Sequence, residues 1–376
     1  MNILNLILAV STLLYIAVAL SFWRGLFKPF TPVQDGVKPF LSVVIAARDE
    51  EDYIADCLQS LVAQTYPSDR FEVLVVDDDS SDATAQIVET FAHTYPHIRL
   101  LSVGTEFDAM AAKKRPMSVG IKNANSEWIL TTDADCRVPP TWLEHLSVYM
   151  HSNTDAIIGF SQIKSGVNQL TLFERLQACD FLSLMSAAAG STNLGYPLAA
   201  TGQNFIYRKS LFNQVGGFST ISNRPSGDDV LLLQLFKRFS KRQFLFASDP
   251  KTFVTTHRSE SLAGFWRQRK RWASNADYQI RLNPAFFLYI LVVFAHRALI
   301  PISLLFFPHF YGVPIGCWLA GASVDWLVIN QGARTFHRTD LLPVWPIWEF
   351  MQPFYILLIG IAGTFGGFTW KDRHHP

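Results

Sequence analysis

Asp133 and Asp135 stand one residue apart where the apolar run Trp128-Ile-Leu-Thr-Thr ends. A buried strand that stops at two carboxylates presents the hard oxygen ligands Mg2+ and Mn2+ prefer, with phosphate and water completing the shell. Two further acidic clusters follow similar runs. Ala47-Arg48-Asp49-Glu50 comes after Leu41–Ala46, and Asp77-Asp78-Asp79-Ser80-Ser81-Asp82 comes after Phe71–Val76. Carboxylates gathered in one cleft repel one another, so a bound cation and hydrogen-bond donors of a ligand are the economical account of them. N-caps and Asx turns explain Asp82 and one of the triple Asp, but not the whole set.

The elements that must position these residues are read from periodicity. Between Lys38 and about Arg281, short β-branched runs alternate with helical patterns, which predicts an α/β domain with a mainly parallel sheet. Glu51 to Gln64 puts Ile54, Leu58, Leu61 and Val62 on one helix face. A helix beginning at Asp82, a strand over His97–Val103, a helix over Lys113–Asn123 and a strand over Glu127–Thr132 continue the alternation. Ligands of open α/β sheets bind beyond the carboxyl ends of the strands, so the three acidic clusters form one candidate site. Neither a P-loop nor a Gly-x-Gly-x-x-Gly fingerprint occurs, and the ten histidines have no zinc spacing. Phosphate binding therefore falls to metal and basic side chains.

The 376 residues are 49% hydrophobic and 14% aromatic, richer in apolar groups than soluble proteins usually are. A net charge of +1 lacks the basic field of nucleic-acid binders, so no nucleic-acid partner is expected. The four cysteines have neither metal-ligand spacing nor disulfide-scaffold density, which suits a reducing compartment. Ile3–Leu20, continuing through Phe22 and Trp23, is long enough to cross a bilayer, and Arg24 and Lys28 after it place the next domain in the cytoplasm. Residues 1–27 are thus expected to be an uncleaved inner-membrane anchor and 38–260 a cytoplasmic domain. Residues 261–283 read as an amphipathic interfacial helix, and 284–370 as a membrane region of two or three segments. Phe286–Phe307 and Tyr311–Asn330 are two spans joined by Pro308-His309-Phe310, and the glycine-rich Phe354–Phe368 is either a full span or re-entrant. Arg297 and Asp325 fall inside these spans, where a charge faces protein or water, or snorkels to the membrane edge.

With these motifs in order, the chain resembles the processive-type branch of the family 2 glycosyltransferases, which includes cellulose, chitin and hyaluronan synthases, poly-N-acetylglucosamine synthases and ceramide glucosyltransferase. The resemblance covers roughly Pro39 to Trp272. Val75-Val-Asp-Asp-Asp-Ser-Ser-Asp resembles the nucleotide-binding Asp-Asp-Gly-Ser-x-Asp motif, with Asp79 in place of glycine, and implies that Asp78 meets the base with Asp77 close by. Ala47-Arg48-Asp49-Glu50 is similar to that family's Ala-Arg-Asn-Glu, which adds Arg48 and Glu50 to the nucleotide site. One lysine of the pair Lys113/Lys114 is implied to lie near the diphosphate, and Asp133 and Asp135 match the metal-binding Asp-x-Asp. Thr201-Gly202-Gln203-Asn204, Arg208 and Gly216-Gly217-Phe218 resemble the acceptor-side segment. Gly227-Asp228-Asp229 stands where Gly-Glu-Asp is usual, which implies Asp229 as the base with Asp228 beside it. Gln268-Arg269-Lys270-Arg271-Trp272 fits Gln-x-x-Arg-Trp, so Gln268, Arg271 and Trp272 are implied to cap nucleotide and acceptor.

The resemblance implies a GT-A type nucleotide-diphospho-sugar transferase domain, a divalent metal and a nucleotide sugar donor. The expected reaction is inverting transfer to a membrane-associated acceptor at the lipid bilayer. A lipid acceptor is the first expectation, since three or four segments are few for a polysaccharide pore, and a processive polysaccharide synthase is the second. An inactive nucleotide-binding scaffold is the rival from another class, and a transporter needs more spans than are visible.

Overall fold

The computed structural model describes residues 3–30, 38–163, 170–224, 226–257, 259, 261–306, 309, 311–365, 368–370 and 373–375. Pro308 and Phe310 of the expected connection and Lys371 and Asp372 near the terminus lie outside the described residues. Two units form. One comprises Met1–Lys28, Ser165–Leu194 and Arg258–Pro376, and the other Pro29–Lys164 with Gly195–His257. The stretch expected as one domain, 38–260, is thus shared between them, with residues 165–194 grouped among the apolar helices.

After the first helix, α1 (Ile3–Gly25), the chain enters the second unit with β1 (Leu41–Ala47), α2 (Ile54–Val62), β2 (Phe71–Asp77), α3 (Thr84–Thr94), β3 (Ile98–Ser102), α4 (Lys114–Asn123) and β4 (Trp128–Thr131). Then come α5 (Trp142–Ser147), β5 (Thr154–Gly159) and β6 (Ser161–Ile163). α6 (Leu172–Asn193) belongs to the first unit, and β7 (Phe205–Arg208), α7 (Lys209–Gln214), α8 (Val230–Phe239), β8 (Gln243–Ala247) and β9 (Val254–Thr256) return to the second. Seven strands make one sheet in the order β3-β2-β1-β4-β7-β5-β8. β1, β2, β3 and β4 are parallel neighbours, whereas β7 runs antiparallel to both β4 and β5. The near-continuous apolar runs of β1, β2 and β4 follow from this: central parallel strands are covered on both faces and have no polar side to show. Register places Ala47 opposite Asp77 and Val44 opposite Thr131, so the turns after β1, β2 and β4 open on one edge of the sheet.

The first unit adds α9 (Leu262–Ala273), α10 (Gln279–Leu282), α11 (Pro284–Phe306), α12 (Gly312–Thr335) and α13 (Trp345–Phe365). Four helical stretches are long and apolar enough to cross a bilayer: Ile3–Gly25, Pro284–Phe306, Gly312–Thr335 and Thr339–Gly363. α13 begins well before the expected Phe354, because Pro346, Glu349 and Pro353 interrupt the apolar pattern without ending the helix. α6 starts with a capping box, the Thr171 hydroxyl accepting from the Glu174 amide and the Glu174 carboxylate from the Thr171 amide. It then packs backbone to backbone on α1. A Cβ at Gly25 would fall 2.0 Å from the Gly190 carbonyl oxygen, so only glycine allows this approach.

Arg297 and Asp325 face protein. The Arg297 guanidinium, 3% exposed, donates to Asp325 of α12 and Glu349 of α13, and the Tyr15 hydroxyl of α1 donates to Asp325. Each of the four candidate spans contributes one group to this cluster. Arg297→Met leaves the buried Glu349 and the part-buried Asp325 without their cation and is expected to destabilise the full chain by about 3–5 kcal/mol, read as thermal unfolding in detergent.

Candidate active site

The loops after β1 and β2 are tied to each other. The Asp49 carboxylate accepts from the Ser81 amide at 2.7 Å, the Glu50 amide donates to Thr84 Oγ1 at 2.8 Å, and the Glu51 amide donates to Asp82 at 3.0 Å. Burial works against the Asp82 charge, but hydrogen bonds from Thr84 and Glu51 hold its carboxyl below the ordinary range. Asp78 is buried under two arginines. Arg115 donates to its Oδ1 from Nε at 2.9 Å and from Nη2 at 2.6 Å, and Arg48 donates to its carbonyl at 2.7 Å. Asp77 at the strand end accepts from the Ser80 amide through Oδ2, while its buried Oδ1 has no hydrogen-bond partner among the described residues.

Asp79 has φ +58°, in the left-handed region that glycine enters freely and Asp tolerates better than most residues. The bend is one that either residue makes, which accounts for Asp where the resembled motif has glycine. Unlike glycine, Asp79 also contributes a carboxylate, which accepts from Arg115 at 2.5 Å, and Asp108 takes a third contact at 3.3 Å.

Lys113, Lys114 and Arg115 are consecutive, and their side chains diverge as residues about 100° apart on a helix must. Lys113 donates to Asp133 and lies 3.5 Å from Asp228. Lys114 is fully buried and donates to the carbonyls of Arg224 and Ser226 at 2.5 and 2.8 Å, anchoring the chain that leads to Gly227. Of the expected lysine pair, Lys113 is the one among the carboxylates. Asp229 stands at the N-terminus of α8, its Oδ1 accepting from the Val230 amide at 2.6 Å and its Oδ2 from the Gly202 amide at 3.1 Å. Thr131 Oγ1, at the end of β4, donates to the Gly202 carbonyl at 2.8 Å. A Cβ on Gly202 would lie 3.1 Å from Lys113 Nζ and 3.3 Å from Asp228 Oδ2, so glycine there lets backbone line the cluster.

Glu50, Lys113, Asp133, Asp135, Asp228 and Asp229 thus share one electrostatic environment. Burial, then the Asp228 charge, pushes Asp229 up to about 6. Burial, then Asp133 and Glu50, pushes Asp135 up to about 7. Burial opposes the Lys113 charge, but Asp133, Asp228 and Asp229 outweigh it and hold the ammonium well above the ordinary lysine range. Asp133, Asp135 and Cys136 each offer a ligand atom within 4.8 Å of the others. The two carboxylates fit a hard divalent cation. The Cys136 thiol, fully buried and driven upward by burial and by Asp135, stays protonated and is no ligand for one.

Gln268, Arg271 and Trp272 lie on α9, in the first unit. There the organising side chain is Arg269, which the motif leaves unspecified. It is 4% exposed, donates from Nε to Asp180 of α6 at 2.7 Å and from Nη1 to Gln268 Oε1 at 2.8 Å, and lies over the rings of Trp272 and Phe265. Motif reading passes over Arg115 in the carboxylate cluster and, separately, Arg269 on α9. Runs of basic residues signal both, but only geometry ranks their members.

Residues 42–216 match the profile described as Glycosyl transferase family 2. Among curated relatives, beta-monoglucosyldiacylglycerol synthase of Synechocystis sp. is 26% identical over 252 residues, covering 65% of this chain and 49% of that protein. Poly-beta-1,6-N-acetyl-D-glucosamine synthase of Staphylococcus epidermidis is 23% identical over 238 residues, covering 62% and 53%. The chain spans about half the length of these relatives. Among solved structures, a mannosyltransferase from Pyrobaculum calidifontis, in complex with GDP-Man and Mn2+, superposes with a TM-score of 0.58 at 20% identity, covering 96% of this chain and 98% of that one. Likeness at that identity carries the fold, a mainly parallel sheet flanked by helices of the GT-A kind. The matched segment holds β1 to β7 with the carboxylates of Asp77, Asp78, Asp133 and Asp135, and this part of the chain is accordingly a family 2 glycosyltransferase domain.

Proposed function

We propose that the protein transfers a sugar from a nucleotide diphosphate sugar to the hydroxyl of a lipid acceptor, with inversion at the anomeric carbon. The observation that carries this reading is the Asp229 carboxylate, held by the Gly202 amide in one cluster with Lys113, which reaches Asp133. In the transfer, the acceptor oxygen bonds to the anomeric carbon as its bond to the diphosphate breaks, and the hydroxyl proton passes to Asp229. Asp133 and Asp135 would hold the divalent cation, which supplies charge neutralisation at the departing diphosphate. Lys113 adds a second positive charge to the same cluster. Asp78, fixed by Arg115 and Arg48, orients the base. Mn2+ in the Pyrobaculum enzyme and the diacylglycerol product named for the Synechocystis relative support metal and lipid respectively. The Staphylococcus relative supports a polymer as second reading.

Arg24 in the last turn of α1 with Lys28 beyond it, and Arg334 in the last turn of α12 with Arg338 beyond it, favour the catalytic unit on the cytoplasmic side of the inner membrane. Incubating membranes with labelled nucleotide sugars and analysing products by mass spectrometry tests the acceptor. One sugar on a lipid is expected, and a ladder of oligomers selects the polymer reading. Arg115→Ala removes charged hydrogen bonds to Asp78 and is expected to weaken nucleotide binding about 10–100-fold while leaving Mn2+ affinity unchanged, read by calorimetric titration.

A further inference from the structure

Within the first unit, the start of α6, the outer side of α9 and the middle of α13 wall a cleft of about 840 Å3, inside the ~300–1,000 Å3 range of small-molecule sites. Phe173 and Leu176 come from α6, Leu262 and Trp266 from α9, and Met351 and Phe354 from α13, so the walls are almost wholly apolar. α13 is one of the stretches able to cross a bilayer, whereas α9 is too charged to do so. The cleft therefore joins a hydrocarbon-compatible helix to a basic one.

The charge on α9 is arranged accordingly. Arg269 turns inward and is neutralised by Asp180. Arg267 is exposed and lines the cleft, so a cation borders an apolar hollow. Trp348, also in the wall and 3% exposed, has an indole N–H with no hydrogen-bond partner among the described residues. An apolar trough edged by guanidinium matches a ligand with a hydrocarbon chain and an anionic head. A soluble sugar would leave the trough unfilled, and an apolar peptide would leave Arg267 unmatched.

We propose that this cleft seats the hydrocarbon chain of the acceptor lipid, with Arg267 meeting a phosphate in its headgroup. The assignment rests on the lipid-acceptor reading above and adds the class of lipid, one bearing phosphate. It is tested with the full chain in phosphatidylcholine vesicles containing a phosphatidic acid whose acyl chain carries a diazirine. After illumination, the label is expected to concentrate on Leu262, Met351 and Phe354. Even spread over outward residues of other helices, such as Leu13, Leu288 and Leu305, overturns the cleft. Ala263→Trp and Met351→Trp, which fill the trough from opposite walls, are each expected to cut both labelling and sugar transfer into total lipid extract at least tenfold, with acceptor-free hydrolysis of the donor unchanged. That hydrolysis also reports folding of the variants. Arg267→Gln is expected to lower labelling by phosphatidic acid and not by a diazirine diacylglycerol, and equal loss of both overturns the phosphate contact. Labelling that falls while transfer persists overturns the acceptor assignment. A wild-type chain that makes only oligomers removes the proposed function, while the labelling pattern still decides whether the cleft holds lipid.

Discussion

Asp229→Asn is expected to bind the nucleotide sugar as the wild type does and to lose turnover by about two to four orders of magnitude, the range for removing a positioned base. The substitution keeps one acceptor oxygen, enough for the Val230 amide at the start of α8, and gives up acceptance from the Gly202 amide, so unchanged nucleotide binding is the readout that the loop stays in place. What it removes is the site for the acceptor's proton. The pH profile gives an independent check. A base must be deprotonated to act, and burial with the Asp228 charge raises Asp229 to about 6, so at saturating Mn2+ wild-type turnover falls as pH drops through that value and is full above it. The variant's residual turnover should lack this limb. Near-wild-type turnover in Asp229→Asn would falsify the assignment.

Replacing Asp133 and Asp135 together by alanine has the second large effect. A metal at a departing diphosphate contributes several kcal/mol, so turnover is expected to fall by about two to four orders of magnitude. The distinguishing readout is calorimetric titration with Mn2+, in which binding disappears in this variant and persists in Asp229→Asn. Chelation of the wild type should copy the loss, with recovery when Mn2+ or Mg2+ is restored. Because the Asp135 carboxyl is raised to about 7 by burial and by Asp133 and Glu50, cation binding at lower pH must displace a proton, and Mn2+ affinity should weaken as pH falls below that value. Retained Mn2+ affinity in the double variant would place the metal elsewhere.

How much of this was legible depended on whether a feature was local. β1, β2 and β4 could be read because each is a short apolar run stopped by carboxylates, and those runs are themselves the mark of central parallel strands. β7 offered no such mark: four residues are too few to show a period, and its antiparallel place between β4 and β5 is a property of the whole sheet. Membership of α6 among the apolar helices was hidden because Glu174, Arg175 and Asp180 break its hydropathy. The charge of Asp180 is answered by Arg269, far along the chain. Glu349 hid the start of α13 in the same way, its partner being Arg297. In the site, residue types were readable and directions were not. Lys113, Lys114 and Arg115 look equivalent in sequence, yet one reaches Asp133, one backs a loop and one grips Asp78.

The position of β7 also orders events during synthesis. Once residue 131 has left the ribosome, β1 to β4 can pair, but the free side of β4 must wait for residues 205–208, and β5 has neither neighbour until 205–208 and 243–247 arrive. Between those moments the nascent chain makes the whole of α6. Two strands with unpaired borders are therefore on offer while an apolar-unit helix is emerging, the interval in which a growing chain is most open to wrong pairing with its neighbours.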